Sequence, residues 1–158
     1  MFKKPIDSKF GIFKEASYGE SWILQDKLKI SYFDGMLAEV TLRDLDKTSN
    51  KEVLINLLDK VINHSKGRFQ ELSDRVFENY KDFGDAVGFE DLPEITQASD
   101  VWSYVYNLRV YVFHDYYHPK QLRVGFTFDC GWEEEHGLGI LLDEKLELLE
   151  VGTQDVAY

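Results

Sequence analysis

Cysteine occurs once, at Cys130, which excludes an internal disulfide and a multi-cysteine metal site and fits a cytoplasmic setting. No segment approaches the roughly 18 uninterrupted apolar residues needed to span a bilayer. The opening Met1-Phe2-Lys3-Lys4-Pro5-Ile6-Asp7 is followed by charge rather than by a signal-peptide run, so a soluble, unexported protein is expected. Positive charge is also short: 18 Lys and Arg stand against 29 Asp and Glu, for a net charge of -11. That balance argues against nucleic acid and anionic membranes as partners, because both select a basic footprint. A basic protein is the natural complement. The glycines are too scattered for a phosphate-binding loop, and neither a serine nucleophile elbow nor a basic aromatic sheet for RNA is present. Linkers, internal repeats and low-complexity segments are absent too, so residues 1–158 read as one domain.

What is present builds a core. Hydrophobic residues make up 44% of the chain and aromatic residues 15%, enough to bury a real interior without covalent staples. Phe10 to Phe13 and Trp22 to Leu24 read as extended. Leu28, Ile30 and Tyr32 alternate with polar residues, Asp34-Gly35 marks a tight turn, and Met36 to Leu42 continues a hairpin. The pattern then changes period. Ser49 and Glu52 fit a capping box, and Val53, Leu54, Leu57, Leu58, Val61 and Ile62 form a helical stripe. After a break at Ser65-Lys66-Gly67, a second stripe over Phe69, Leu72, Val76, Phe77 and Tyr80 predicts a helix ending before Gly84.

A loop from Asp85 to Pro93 leads to a short helix capped by Thr96 or Ser99 and reaching about Tyr106, then to a strand over Leu108 to His114; one long strand from Val101 to His114 is the competing reading. Pro119 suits a turn, Leu122 to Cys130 alternates as a half-buried strand, and Leu138 to Leu142 with Leu146 to Val151 flank a three-residue hairpin loop. Strands, helices and strands in that order predict an α+β fold: an antiparallel sheet of two hairpin-rich strand sets packed against a central pair of helices. One sheet or two is left open by the pattern.

Chemistry is densest in Cys130-Gly131-Trp132-Glu133-Glu134-Glu135-His136-Gly137-Leu138-Gly139. Adjacent glutamates on an extended chain face opposite ways, and the i, i+4 pair His114 and His118 sits in a turn without an activating glutamate, so no metal and no cofactor is expected. A Cys130/His136 nucleophilic pair is weighed against a buried thiol at the end of an apolar strand, and burial is preferred. The economical reading is a corner. Gly131 and Gly137 permit a bend, Trp132 folds over the core, the glutamates face water, and His136 fixes the turn through a carboxylate or carbonyl. Rings at Trp102, Tyr104, Tyr116 and Tyr117 offer a small-ligand alternative, with packing the preferred role. From Asp129 onward, Asp129, Glu133, Glu134, Glu135, Asp143, Glu144, Glu147, Glu150 and Asp155 are opposed only by Lys145, which concentrates the acidic excess at the C-terminal end.

The same decapeptide, continued by Ile140 and followed by Val151-Gly152-Thr153-Gln154-Asp155-Val156-Ala157, resembles the C-terminal signature of a bacterial family of uncharacterised domains, written C-x-W-x-E-E-H-G-x-G and V-G-x-x-D-x-A. The resemblance implies a small cytosolic α+β protein similar to immunity proteins of toxin systems, and it transfers no catalytic residue. The function expected is therefore a non-enzymatic, acidic, protein-binding domain for a basic partner such as a toxin, with Trp132, Glu133, Glu134, Glu135, His136 and Asp155 as binding residues. A small hydrolase or metal-dependent enzyme using Glu134, Glu135 and His136 is the alternative.

Overall fold

The computed structural model describes residues 2–16, 20–63 and 69–158. In chain order the elements are β1 (Ile6–Ser8), β2 (Gly11–Glu15), β3 (Ser21–Leu24), β4 (Leu28–Ile30), β5 (Met36–Arg43), α1 (Asn50–Asn63), α2 (Phe69–Val87), β6 (Val105–His114), β7 (Leu122–Cys130), β8 (Leu138–Asp143) and β9 (Leu148–Gly152). Among the described residues, no helix is long and apolar enough to cross a membrane. The nine strands form one sheet in the order β1-β2-β3-β5-β6-β7-β8-β9, with β4 also paired to β5. This answers the question left open by the sequence: the two strand sets are joined edge to edge.

The joint corrects the expectation of a wholly antiparallel sheet. β5 and β6 run parallel, with Val40 opposite Val110 and Leu42 opposite Val112. The physical reason is the helical excursion between them. A hairpin reverses the chain, whereas a crossover carrying two helices returns it to the end where it began, so the next strand enters in the same direction. Every other pairing is antiparallel.

Alternation along the strands decides where the core sits. Ala38, Val40 and Leu42 on β5, Val110 and Val112 on β6, and Phe126 and Phe128 on β7 are fully buried and belong to one cluster with Leu54, Leu58, Leu72 and Val76 of the helices. Burying an aliphatic or aromatic side chain of this size contributes roughly 1.5–3 kcal/mol, so these stripes hold the helices to the sheet. Phe33, turned inward by a 3-10 segment at Ser31–Phe33, meets Phe126 and Phe128 edge-on at 4.7 and 5.1 Å.

Local signals succeeded and failed for identifiable reasons. The break at Ser65-Lys66-Gly67 lies outside the described residues. Ser49 does not cap α1 as the capping box predicts. It sits at φ 70°, no hydrogen bond of its hydroxyl is formed among the described residues, and Asn50 instead donates from Nδ2 to the Asp44 carbonyl at 2.9 Å. α2 runs through Gly84 to Val87 and stops at Gly88, whose φ of 91° is the left-handed conformation that ends helices. Gly84 is inside the helix because the Phe89 ring occupies the space of its missing side chain. The segment before β6 is a 3-10 helix, Ala98–Tyr104, without a side-chain cap, and β6 begins at Val105 rather than Leu108 because Asn107, at φ 56°, is absorbed in a bulge. The last hairpin loop is longer than three residues: β9 begins at Leu148, and the Asp143 carboxylate accepts from the amides of Lys145 and Glu147.

Candidate functional site

The segment between β7 and β8 is a corner built on Glu133. Its carboxylate accepts from the His136 amide and lies 3.0 Å from His136 Nδ1, while its carbonyl accepts from the Gly137 amide at 2.9 Å. Burial opposes ionisation of Glu133, but hydrogen bonds from the His136 ring, the His136 amide and Gly137 together hold it below the usual carboxylate range. The same Glu133 contact, reinforced by its charge, raises the His136 imidazole above its usual 6.5. Glu135 lies farther out, 3.9 Å from His136 Nε2. Glu134 and Glu135 are exposed. Trp132 points the other way: it is buried, donates from Nε1 to Asn79 Oδ1 of α2 at 3.3 Å, and meets Tyr80 edge-on at 5.6 Å.

The corner receives the C-terminal segment. After β9 the chain turns through a 3-10 helix, Gln154–Ala157, and lies across the sheet face opposite the helices. The Gln154 amide donates to the His136 carbonyl at 3.0 Å, and Gln154 Nε2 donates to the Phe128 carbonyl at 2.7 Å and to Asp129 Oδ1 at 3.3 Å. Asp155 is exposed and takes the Thr153 hydroxyl. Two strand glycines make the approach possible. A Cβ on Gly125 would stand 1.7 Å from the Ala157 carbonyl oxygen, and one on Gly139 would stand 2.1 Å from that of Thr153. Ala157 is fully buried as a result. The sequence singled out the residues of this corner but not Gly125, whose position inside an alternating apolar strand is a recognised sign of close backbone approach.

The tail ends against a recess on that face. Ser21, Thr41, Arg43, Tyr111, Phe113 and Tyr158 line a cavity of ≈ 400 Å³. Alternation puts Thr41 and Arg43 of β5, and Tyr111 and Phe113 of β6, on the side away from the helices, and the parallel register sets Thr41 beside Tyr111. The Arg43 guanidinium lies 5.2 Å from the Phe113 ring centre, and the Tyr158 ring lies 5.2 Å from that of Tyr111. Burial pushes the Tyr111 hydroxyl up. Alternation in each strand is legible, but the register that joins them was not, because it depends on the parallel crossover.

The remaining candidates do not converge. Cys130 is buried and its thiol is pushed up to about 11 by burial, so it is a poor nucleophile at neutral pH. His114 donates from Nδ1 to the Pro119 carbonyl at 2.9 Å, which puts the proton on that nitrogen. Trp102 donates to Ser73 Oγ of α2 at 2.8 Å and stacks on Phe69, whereas Tyr116 and Tyr117 lie beyond the opposite end of β6. No group of three or more His, Cys, Asp or Glu side chains is placed to hold a metal ion among the described residues.

Residues 12–158 match the family described as a domain of unknown function, DUF6985, and the chain belongs to that family. No curated protein and no solved structure gives a significant match.

Proposed function

We propose, with that family membership as premise, that this is a non-enzymatic binding protein whose acidic C-terminal hairpin engages a cationic protein. The observation that carries the reading is exposed negative charge: Glu134, Glu135, Glu144, Glu150 and Asp155 are all exposed, and Lys145 is the single lysine or arginine in that stretch of sequence. β9 adds a second element of fit. It is the last strand of the sheet, paired to β8 alone among the described residues, and its Leu149 and Glu150 are exposed. An extended basic segment laid along such an edge gains main-chain hydrogen bonds as well as charge complementarity. The finer form of the reading is an immunity-type protein that covers the cleft of a cationic toxin, and the C-terminal signature supports it. Within the corner, Glu133 and His136 fix the backbone that presents Glu134 and Glu135, and Trp132 anchors it.

Affinity capture from the native cells tests the proposal. Wild type is expected to retain a basic protein that is released by salt and lost by the Glu134→Lys/Glu135→Lys/Glu150→Lys variant, with protection against that protein's toxicity lost in parallel. Equal capture and equal protection by the variant would overturn it. A second reading, a small hydrolase or metal-dependent enzyme using Glu134, Glu135 and His136, is favoured by the imidazole lying between the carboxylates of Glu133 and Glu135. Its signature is hydrolysis of ester or phosphoester substrates, with or without divalent cations, that His136→Ala abolishes.

A further inference from the structure

The recess under Tyr158 lies on the sheet face opposite the helices, apart from the acidic hairpin. Arg43 forms no ion pair among the described residues, despite the chain's net charge of -11. It rests on the Phe113 ring at 5.2 Å, which fixes the guanidinium while leaving its donors free. By contrast, Arg123 on the same face is tied to Asp115 at 3.3 Å. The hydroxyls of Ser21 and Thr41 flank Arg43 in the lining, and neither makes a hydrogen bond within the described residues. Thr41 is largely buried as a residue, but its hydroxyl keeps access to the recess. The recess thus gathers a fixed cation and two open hydroxyls, with Ser21 opposite Arg43 and Thr41 beside Tyr111.

The rest of the wall is mainly aromatic. Tyr111 rises from β6, and Tyr158 is laid against it, tilted by 37°, because the tail is seated directly on the backbone at Gly125 and Gly139. At ≈ 400 Å³ the cavity falls in the size range of small-molecule sites, about 300–1,000 Å³, and it joins polar anchors to ring walls as such sites do.

We propose that this recess binds a small molecule carrying a planar ring and a terminal carboxylate or phosphate, with the anion on Arg43, Ser21 and Thr41 and the ring against Tyr111 and Tyr158. Arg43 supplies a planar fork of donors that matches either anion, and the two hydroxyls complete its shell. The glycines of the C-terminal signature then have a second consequence, since by seating the tail they set the position of the ring wall.

Phenyl phosphate and benzoate serve as probes, with inorganic phosphate and phenol as the corresponding halves, titrated into the full chain and followed by backbone amide shifts. A saturable response at Thr41 to Arg43 and at Tyr111 to Phe113 is expected from at least one of the two probes, with each half binding about tenfold or more weakly than the whole, the factor expected when one anchoring interaction is lost. Arg43→Gln should weaken the probe by about tenfold or more, Tyr158→Ala should weaken it while leaving inorganic phosphate unchanged, and Arg75→Gln on α2 should change nothing. Amide spectra of the variants outside the recess should overlay on wild type. No saturable response from either probe, or undiminished binding by Arg43→Gln, overturns the proposal; inorganic phosphate binding as tightly as phenyl phosphate overturns the ring wall.

Discussion

At the scale of single residues, Glu133 and His136 form a charge-linked clasp whose pH dependence follows from the direction of each shift. His136 is raised above 6.5 by Glu133, so its contribution is complete below pH 6.5 and disappears as pH rises through the raised value. Glu133 is lowered from 4.5, so its contribution is complete above pH 4.5 and disappears as pH falls through the lowered value. The corner is therefore firmest between those limits. Proton titration by NMR is expected to place His136 above 6.5 in wild type and to bring it back toward 6.5 in Glu133→Gln. The Gln154 amide, which donates to the His136 carbonyl, should exchange faster in that variant. An unchanged His136 titration would mean the carboxylate does not govern the ring. The sequence predicts a turn fixed by His136 through a carboxylate or a carbonyl; the partner stays open at that level, because three neighbouring glutamates are equivalent until the backbone turn selects Glu133.

Among the elements, α2 separates what periodicity reveals from what it hides. Leu72 is buried at 1% exposure and faces the sheet, while Glu78 is exposed on the opposite side. Leu72→Ala is expected to lower stability by about 2–5 kcal/mol, and Glu78→Ala to change it by about 0.5 kcal/mol or less, read as urea midpoints at constant m. Equal effects would mean the stripe does not bury as described. The stripe itself was legible, since Leu72, Val76 and Tyr80 recur at helical spacing and the apolar face fixes their orientation. Its end was not. Gly84 and Gly88 are equally good stop signals in the sequence, and only the Phe89 ring packed over Gly84 makes the first of them an interior residue. The same limit applies to strand pairing. Each strand's alternation is a local property, but the parallel union of β5 and β6, and with it the meeting of Thr41 and Tyr111, is set by how two helices carry the chain back across the sheet.

For the whole molecule the governing quantity is charge. A net of -11 on 158 residues makes the folded chain repel itself, and Glu134, Glu144 and Glu150 stand exposed along the β8–β9 side of the sheet. Salt screens such a field, shortening its reach from about 30 Å at 0.01 M to about 8 Å at 0.15 M. The urea midpoint of wild type is therefore expected to rise over that range of NaCl. Glu134→Lys/Glu144→Lys/Glu150→Lys removes about half of the excess, and this variant should start higher at low salt and respond less to added salt. A surface that lowers stability in the absence of a partner is not explained by folding, and a moderate charge suffices for solubility. If the reversed variant is no more stable at low salt, the acids cost the fold nothing and their retention requires no cationic partner; if it gains stability and loses capture of that partner together, the C-terminal hairpin exchanges stability for binding.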